Sequence, residues 1–145
     1  MSDQAKRYFT IAEAEGLIPR IEAIMGRVMD AHAEAARLRA ALQEAQRRIM
    51  LSGGTRLNPE SWRSRRVRLE RAVAEVREGI EEIIRTGGAP KDLELGLVDF
   101  LARLDERDVN LCWRFGEKRI RFWHGLDEGY ANRKPLPADS GGGAS

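Results

Sequence analysis

The apolar residues Ile21, Ile24, Val28, Ala31, Ala35, Leu38, Leu42, Ala45 and Ile49 follow one another at alternating steps of three and four. That spacing draws one stripe along a long helix, as in a coiled-coil seam, and a stripe of this kind needs a partner of the same kind. The chain supplies it. After Ser52-Gly53-Gly54-Thr55, Asn58 can cap and Pro59 can open a second helix, with a stripe of Trp62, Arg66, Leu69, Val73, Val76, Ile80 and Ile83 and a stop at Gly87-Gly88. Folding one helix back on the other pairs Ile49 with Trp62, Leu42 with Leu69, Leu38 with Val73, Ala35 with Val76 and Ala31 with Ile80. Small faces large in several of these layers, as close packing requires. Ile24, Ile21 and Leu17 then project past the second helix and need other cover. Thr10 followed by Glu13 predicts a capping box at the start. The helices are therefore expected over 10–52 and 58–86, with Gly16 and Pro19 forcing a kink or a restart near Pro19.

A chain of 145 residues suits one domain, large enough to hold a core without disulfides or metals. That domain is expected over 1–136. The tail from Lys134 is rich in Pro, Gly and Ser, and residues 137–145 are expected to be disordered. A single cysteine cannot form an internal disulfide, which points to a reducing cytoplasm. Residues 1–6 are polar, and no apolar run approaches the roughly 18 residues of a membrane span, so a soluble protein without a membrane partner is expected. The formal charge of +2 carries no argument for nucleic acid, but the distribution of charge does.

Residues 95–104, 109–115 and 118–124 read as three short strands of an antiparallel meander over 94–124. A two-residue loop at Gly116-Glu117 pairs Trp113 with Ile120 and Leu111 with Phe122. A second turn at Glu106-Arg107 pairs Phe100 with Trp113 and Ala102 with Leu111. One face is then Val98, Phe100, Ala102, Leu104, Val109, Leu111, Trp113, Phe115, Ile120 and Phe122, the natural cover for Leu17, Ile21 and Ile24. The other carries Asp99, Leu101, Arg103, Asn110, Cys112, Arg114, Arg119, Arg121 and Trp123, with Arg114 opposite both Asp99 and Arg119. His124 falls at a strand end on the core side, where a bulge or fraying would re-aim it. The fold class is α+β: a long antiparallel helical hairpin, coiled-coil-like, packed at its base on a three-stranded meander.

Tyr8-Phe9-Thr10, Leu17-Ile18-Pro19, Gly53-Gly54, Lys91-Asp92, Gly96-Leu97-Val98-Asp99-Phe100, Leu111-Cys112-Trp113-Arg114, Gly116-Glu117, Trp123-His124, Gly129 and Arg133 together carry a resemblance over nearly the whole chain up to Leu136. The chain resembles the uncharacterised bacterial family numbered two thousand two hundred and three in the domain-of-unknown-function series. The resemblance implies a small bacterial cytoplasmic protein and brings no established activity and no catalytic residues. Leu101 departs from the pattern, which has a proline after the Asp-Phe pair.

Asp99, Cys112, Arg114, Arg119, Arg121 and Trp123 share the face that the helices leave open, with His124 at its margin. A contact or anion-binding surface is the leading reading, because arginine offers a planar fork to carboxylate or phosphate. A homodimer or another protein would be its partner. The competing reading is a cross-strand lattice of ion pairs, worth roughly 0.2–1 kcal/mol each. Cys112, His124 and Asp99 also invite a nucleophile, base and orienter reading, but this register separates Cys112 from His124. A thiol packed beside Leu101 is the simpler account. No metal or cofactor is expected, since there is no second cysteine and no paired-ligand spacing. The usual marks of common enzyme classes are missing too: no P-loop, no Gly-x-Gly-x-x-Gly run, no Ser elbow, no Cys-x-x-Cys. Residues 47–71 hold eight arginines against two glutamates, a net charge of +6 at the hairpin tip. Arg63, Arg65, Arg66 and Arg68 there are candidates for RNA or ribosome contact, against a solubilising surface as the plainer alternative.

Overall fold

The computed structural model describes residues 7–53 and 58–137. Thr10 caps α1 (Ile11–Gly16): its hydroxyl accepts the Glu13 amide and the Glu13 carboxylate accepts the Thr10 amide, each at 3.0 Å. The chain restarts as α2 (Ile18–Leu51) with Pro19 in the first turn, where a missing N–H breaks no helical bond. Asn58 caps α3 (Pro59–Thr86) by accepting the amides of Glu60 and Ser61. Gly87, at φ 105, ends α3 in the left-handed region that glycine reaches without strain. Of the turn expected between α2 and α3, Gly54 and Thr55 lie outside the described residues.

The helices run antiparallel, tied by Arg68 to Glu34 at 2.8 Å and Arg27 to Glu82 at 3.2 Å. On α2 the buried residues include Ile21, Ile24, Val28, Ala31, Ala35 and Leu38, the inner part of the predicted stripe. On α3 the expected stripe is kept at Val76 and Ile83 but shifted by one position at Val73 and Ile80. The buried residues of α3 are Ala72, Gly79, Ile83 and Thr86, while Val73 and Ile80 are only partly buried and Arg66 is exposed. At Gly79 the small residue on α3 meets Val28 and Ile24 of α2, letting the backbones approach closely there. A methyl group added at Gly79 would stand 2.2 Å from the Val28 Cγ2.

Among the described residues the sheet has five strands, not three, in the order β1 (Ala89–Asp92), β2 (Leu97–Leu104), β3 (Arg107–Arg114), β4 (Phe122–Gly125) and β5 (Lys134–Pro135), each antiparallel to the next. The added strands are the edges. β1 follows directly on the Gly87-Gly88 helix stop, and β5 uses Lys134 and Pro135, which the composition had placed in the tail. Residues 138–145 of the expected disordered tail lie outside the described residues.

Two registers differ from the expected ones, with opposite consequences. The β2–β3 turn is Asp105-Glu106, with φ of 52 and 66, the left-handed pair that a tight hairpin requires. It pairs Asp99 with Cys112 and Phe100 with Leu111. That is two residues from expectation, so the faces are kept. The β3–β4 connection is not a two-residue hairpin at Gly116-Glu117. Residues 115–121 form a longer loop, and Cys112 pairs with Phe122 and Leu111 with Trp123. This one-residue slip turns β4 over. Trp123 moves to the core side, while Phe122 and His124 join Cys112 on the face away from the helices. The loop is held by its own bonds: the Trp113 indole N–H donates to the Glu117 carbonyl at 2.9 Å, and the Ile120 amide to Glu15 at 2.9 Å. Ile120 is buried in the core.

That core joins Ile18, Ile21, Ile24, Met25, Val28 and Ile83 to Val98, Phe100, Ala102, Val109, Leu111, Trp113 and Ile120, with Phe9 edge-on to Phe100 at 5.1 Å. The sheet therefore covers Ile21 and Ile24 as expected. Among the described residues, no helix is long and apolar enough to cross a membrane.

Gly79→Ala should destabilise the protein by about 1–3 kcal/mol in urea unfolding, although alanine favours a helix by about 1 kcal/mol over glycine. Combining it with Val28→Ala should give less than the sum of the two losses, because the second change removes the obstructing methyl. Strict additivity would show that Val28 is not what Gly79 makes room for.

Candidate functional site

Strand alternation assembles a polar cluster where the sequence reading separated its members. Asp99 on β2 lies directly opposite Cys112 on β3, and His124 on β4 lies opposite Asn110, one step diagonal from Cys112. Val98, Phe100, Leu111 and Trp113 beside them point into the core, which leaves this trio on the other face of the sheet. Their ligand-type atoms all lie within 4.8 Å of one another. They are nonetheless buried, His124 at 2 % exposure, Asp99 at 4 % and Cys112 at 1 %.

The protons of this cluster can be placed from its bonds. His124 Nδ1 lies 2.9 Å from the Gly125 carbonyl, which can only accept, so Nδ1 carries a hydrogen. Nε2 lies 3.1 Å from Asp99 Oδ2. Burial pushes the Asp99 carboxyl above the ordinary carboxylate range, and the neighbouring His124 pulls it partly back. Burial, with the Asp99 carboxylate adding to it, pushes the Cys112 thiol up to about 11, against the opposing pull of Arg133. Cys112 is a thiol at neutral pH, not an activated thiolate.

The chain after β4 covers this face. Arg133 donates to both Glu117 carboxylate oxygens, at 2.7 and 3.3 Å, and lies over the rings of Phe122 at 4.0 Å and Tyr130 at 4.5 Å. Its Nη1 reaches to 4.0 Å from the Cys112 sulfur. Arg114 donates to the Tyr130 oxygen at 2.6 Å. Between this cover and the trio lies a pocket of about 320 Å³, whose wall includes Lys91, Asn110, Glu128 and Tyr130.

The face expected to hold one contact surface is therefore divided. Asp99, Cys112 and His124 come together, and Arg114 sits beside them, paired with Leu97 rather than with Asp99. Arg119 turns to Glu15 at 3.2 Å, away from the cluster. Arg121 is exposed. Trp123 is partly buried against the core, with the Lys134 ammonium 4.8 Å from its ring. Sequence reasoning missed Lys91, Glu117, Tyr130 and Arg133 as parts of the site. Glu117 was read as a turn residue, and Arg133 as only one position of a family resemblance. No periodicity marks either one.

At the tip, Arg68 is tied to Glu34, and Arg47 and Arg48 lie against Glu44. Arg63, Arg65, Arg66 and Arg71 meet no carboxylate among the described residues. Arg56 lies outside them. Trp62, Arg63 and Arg66 line a shallow open groove with Val67.

Alkylation of Cys112 in the folded, metal-free protein should be slow at neutral pH and rise only as pH approaches about 11. In denaturant the same thiol should titrate near about 8.5. Fast alkylation of the folded protein at neutral pH would contradict the placement of Cys112 beside the buried carboxylate.

No curated protein and no solved structure matches the chain. The model of one family, described as "Uncharacterized conserved protein (DUF2203)", matches residues 7–136. With the match spanning α1 to α3 and β1 to β5, the chain belongs to the DUF2203 family.

Proposed function

We propose that the protein binds a single divalent cation of the zinc type through Asp99, Cys112 and His124. The observation that carries this reading is the meeting of three different metal-ligand side chains, all buried, with their ligand atoms within 4.8 Å. The supporting bonds fit as well. A ligating imidazole commonly donates its second ring N–H to a backbone carbonyl, the bond His124 makes to Gly125. Arg133 beside Cys112 would stabilise the thiolate that coordination requires. Ligands at roughly 2.0–2.3 Å in tetrahedral geometry sit nearer to each other than 4.8 Å, so the side chains need to close by about 1 Å.

Three protein ligands leave a fourth position, and here it opens on the pocket. A cation so held polarises a bound oxygen or activates a water, whereas a closed four-ligand site serves structure alone. This narrows the contact-surface reading of the face: residues 125–136 cover it, and what can still reach the cluster is a small molecule. A reducing compartment suits the reading, because it keeps Cys112 available as a ligand.

The test is metal content and cobalt spectroscopy on the purified chain. Zinc should bind at one per chain, and cobalt substitution should give a thiolate-to-metal charge-transfer band. Cys112→Ser should abolish the band, His124→Ala should lose the metal, and Arg121→Ala should change neither. A folded protein that takes up no stoichiometric metal would sink the reading.

A second surface is favoured by its unpaired charge. Arg63 and Arg66 line the groove with Trp62 at the hairpin tip, Arg65 adjoins them in the chain, and none of the three has a carboxylate partner among the described residues, an arrangement suited to a phosphate backbone. Single-stranded RNA should bind with an affinity that falls as salt rises. Replacing these three arginines by glutamine should flatten the salt dependence by about two to three counterions. Arg68→Gln should do less, because that side chain is already held by Glu34. Unchanged affinity and slope in the triple variant would exclude the tip.

A further inference from the structure

The polar groups lining the pocket over Asp99, Cys112 and His124 divide into those already satisfied and those left open. Asp92 accepts the amides of Glu94 and Leu95, each at 2.8 Å. Glu128 accepts the Gly125 amide at 2.8 Å and the Lys134 ammonium at 2.6 Å, and its bond to Lys134 holds it below the ordinary carboxylate range. The three acidic groups of the lining are thus engaged within the protein, Asp92 and Glu128 by these donors and Asp99 by His124 at 3.1 Å. The open groups are of the other kind. Lys91 makes no ion pair among the described residues, and the Asn110 carboxamide makes no side-chain hydrogen bond among them. Tyr130 uses its oxygen to accept from Arg114 at 2.6 Å, which leaves its own O–H free to donate.

We infer that this pocket takes a small oxyanion-bearing ligand, a carboxylate or a phosphate, held by the Lys91 ammonium and the Tyr130 hydroxyl, with Asn110 as a further donor. The inference rests on the metal reading for the ligand's second anchor, an oxygen at the open coordination position. The recognition of charge by Lys91 and Tyr130 does not depend on it. The available donors are one cation and two neutral groups, and no uncommitted carboxylate stands among them to repel an anion. At about 320 Å³ the pocket is at the small end of the roughly 300–1,000 Å³ range of small-molecule sites, which fits a single small acid and excludes a polymer.

The test uses inorganic phosphate and, separately, acetate as probes. Each is titrated into the zinc-loaded chain and into the chain stripped of metal, with the ring resonances of Tyr130 and His124 as the readout. Saturable binding of at least one probe is expected in both forms, tighter when zinc is present. The probe that binds more tightly identifies the headgroup class. Lys91→Met should weaken binding by about ten-fold and Tyr130→Phe by about three-fold, as expected for loss of a charge-assisted and a neutral hydrogen bond. Arg121→Met should leave it unchanged. Binding to the metal-free chain that depends on Lys91 upholds the inference even where zinc fails to bind. If zinc binds and neither probe saturates, or if Lys91→Met binds as well as the unaltered chain, the inference is overturned while the metal reading stands.

Discussion

Burying the Trp113 ring strips its indole N–H of water, and the hydrogen must find an acceptor inside the protein. It finds the Glu117 carbonyl at 2.9 Å. That bond holds residues 115–121 in a loop rather than a tight hairpin, and the loop sets where β4 begins. The parity of β4 then decides which of its side chains face the helices. Had the chain turned at Gly116-Glu117, Trp123 would sit beside Cys112 and His124 would point into the core. The polar cluster exists because one buried donor was satisfied a few residues downstream.

The same loop serves the cluster a second time. The carboxylate of Glu117 takes the Arg133 guanidinium, and Arg133 in turn lies over Phe122 and beside the Cys112 sulfur. A turn whose backbone answers to the core thus presents a side chain to the site. Substitution at Glu117 would release Arg133, leave a partly buried cation short of its partner and uncover the thiol together. Stability and site chemistry are coupled there, and a loss of either alone would be hard to produce by changing that residue.

Much of the architecture could be read from spacing. The α2 stripe, the Asn58-Pro59 start, the Gly87 stop and the apolar face made by Val98, Phe100, Leu111 and Trp113 each follow from local rules. The limits were of two physical kinds. On α3 both Val73 and Ala72 fit a helical stripe, and which is innermost depends on how close the helices approach, a tertiary quantity fixed by Gly79 against Val28. In the sheet, a Gly-Glu pair after an alternating run is a sound hairpin signal, but the indole bond of Trp113 and the burial of Ile120 outweigh it. Cys112 and His124 were consequently read as separated when they are neighbours. The three candidate ligands come from three strands, so no short motif could bring them together. Only the correct register does.

The last fully buried layer of the hairpin is near Leu38 and Ala72; further out, Leu42, Ala45, Trp62 and Leu69 are only partly covered, and Met50 and Leu51 stand 77 % exposed. About thirteen residues of α2 beyond Leu38 extend roughly 20 Å from the core at 1.5 Å per residue. The pocket and its cover draw their residues from 91–133, well clear of that arm. Whole turns could be added to or removed from the outer hairpin in matched pairs without moving a ligand atom. The arm's reach and the pocket's chemistry are separate variables in this fold, open to independent change in a single chain.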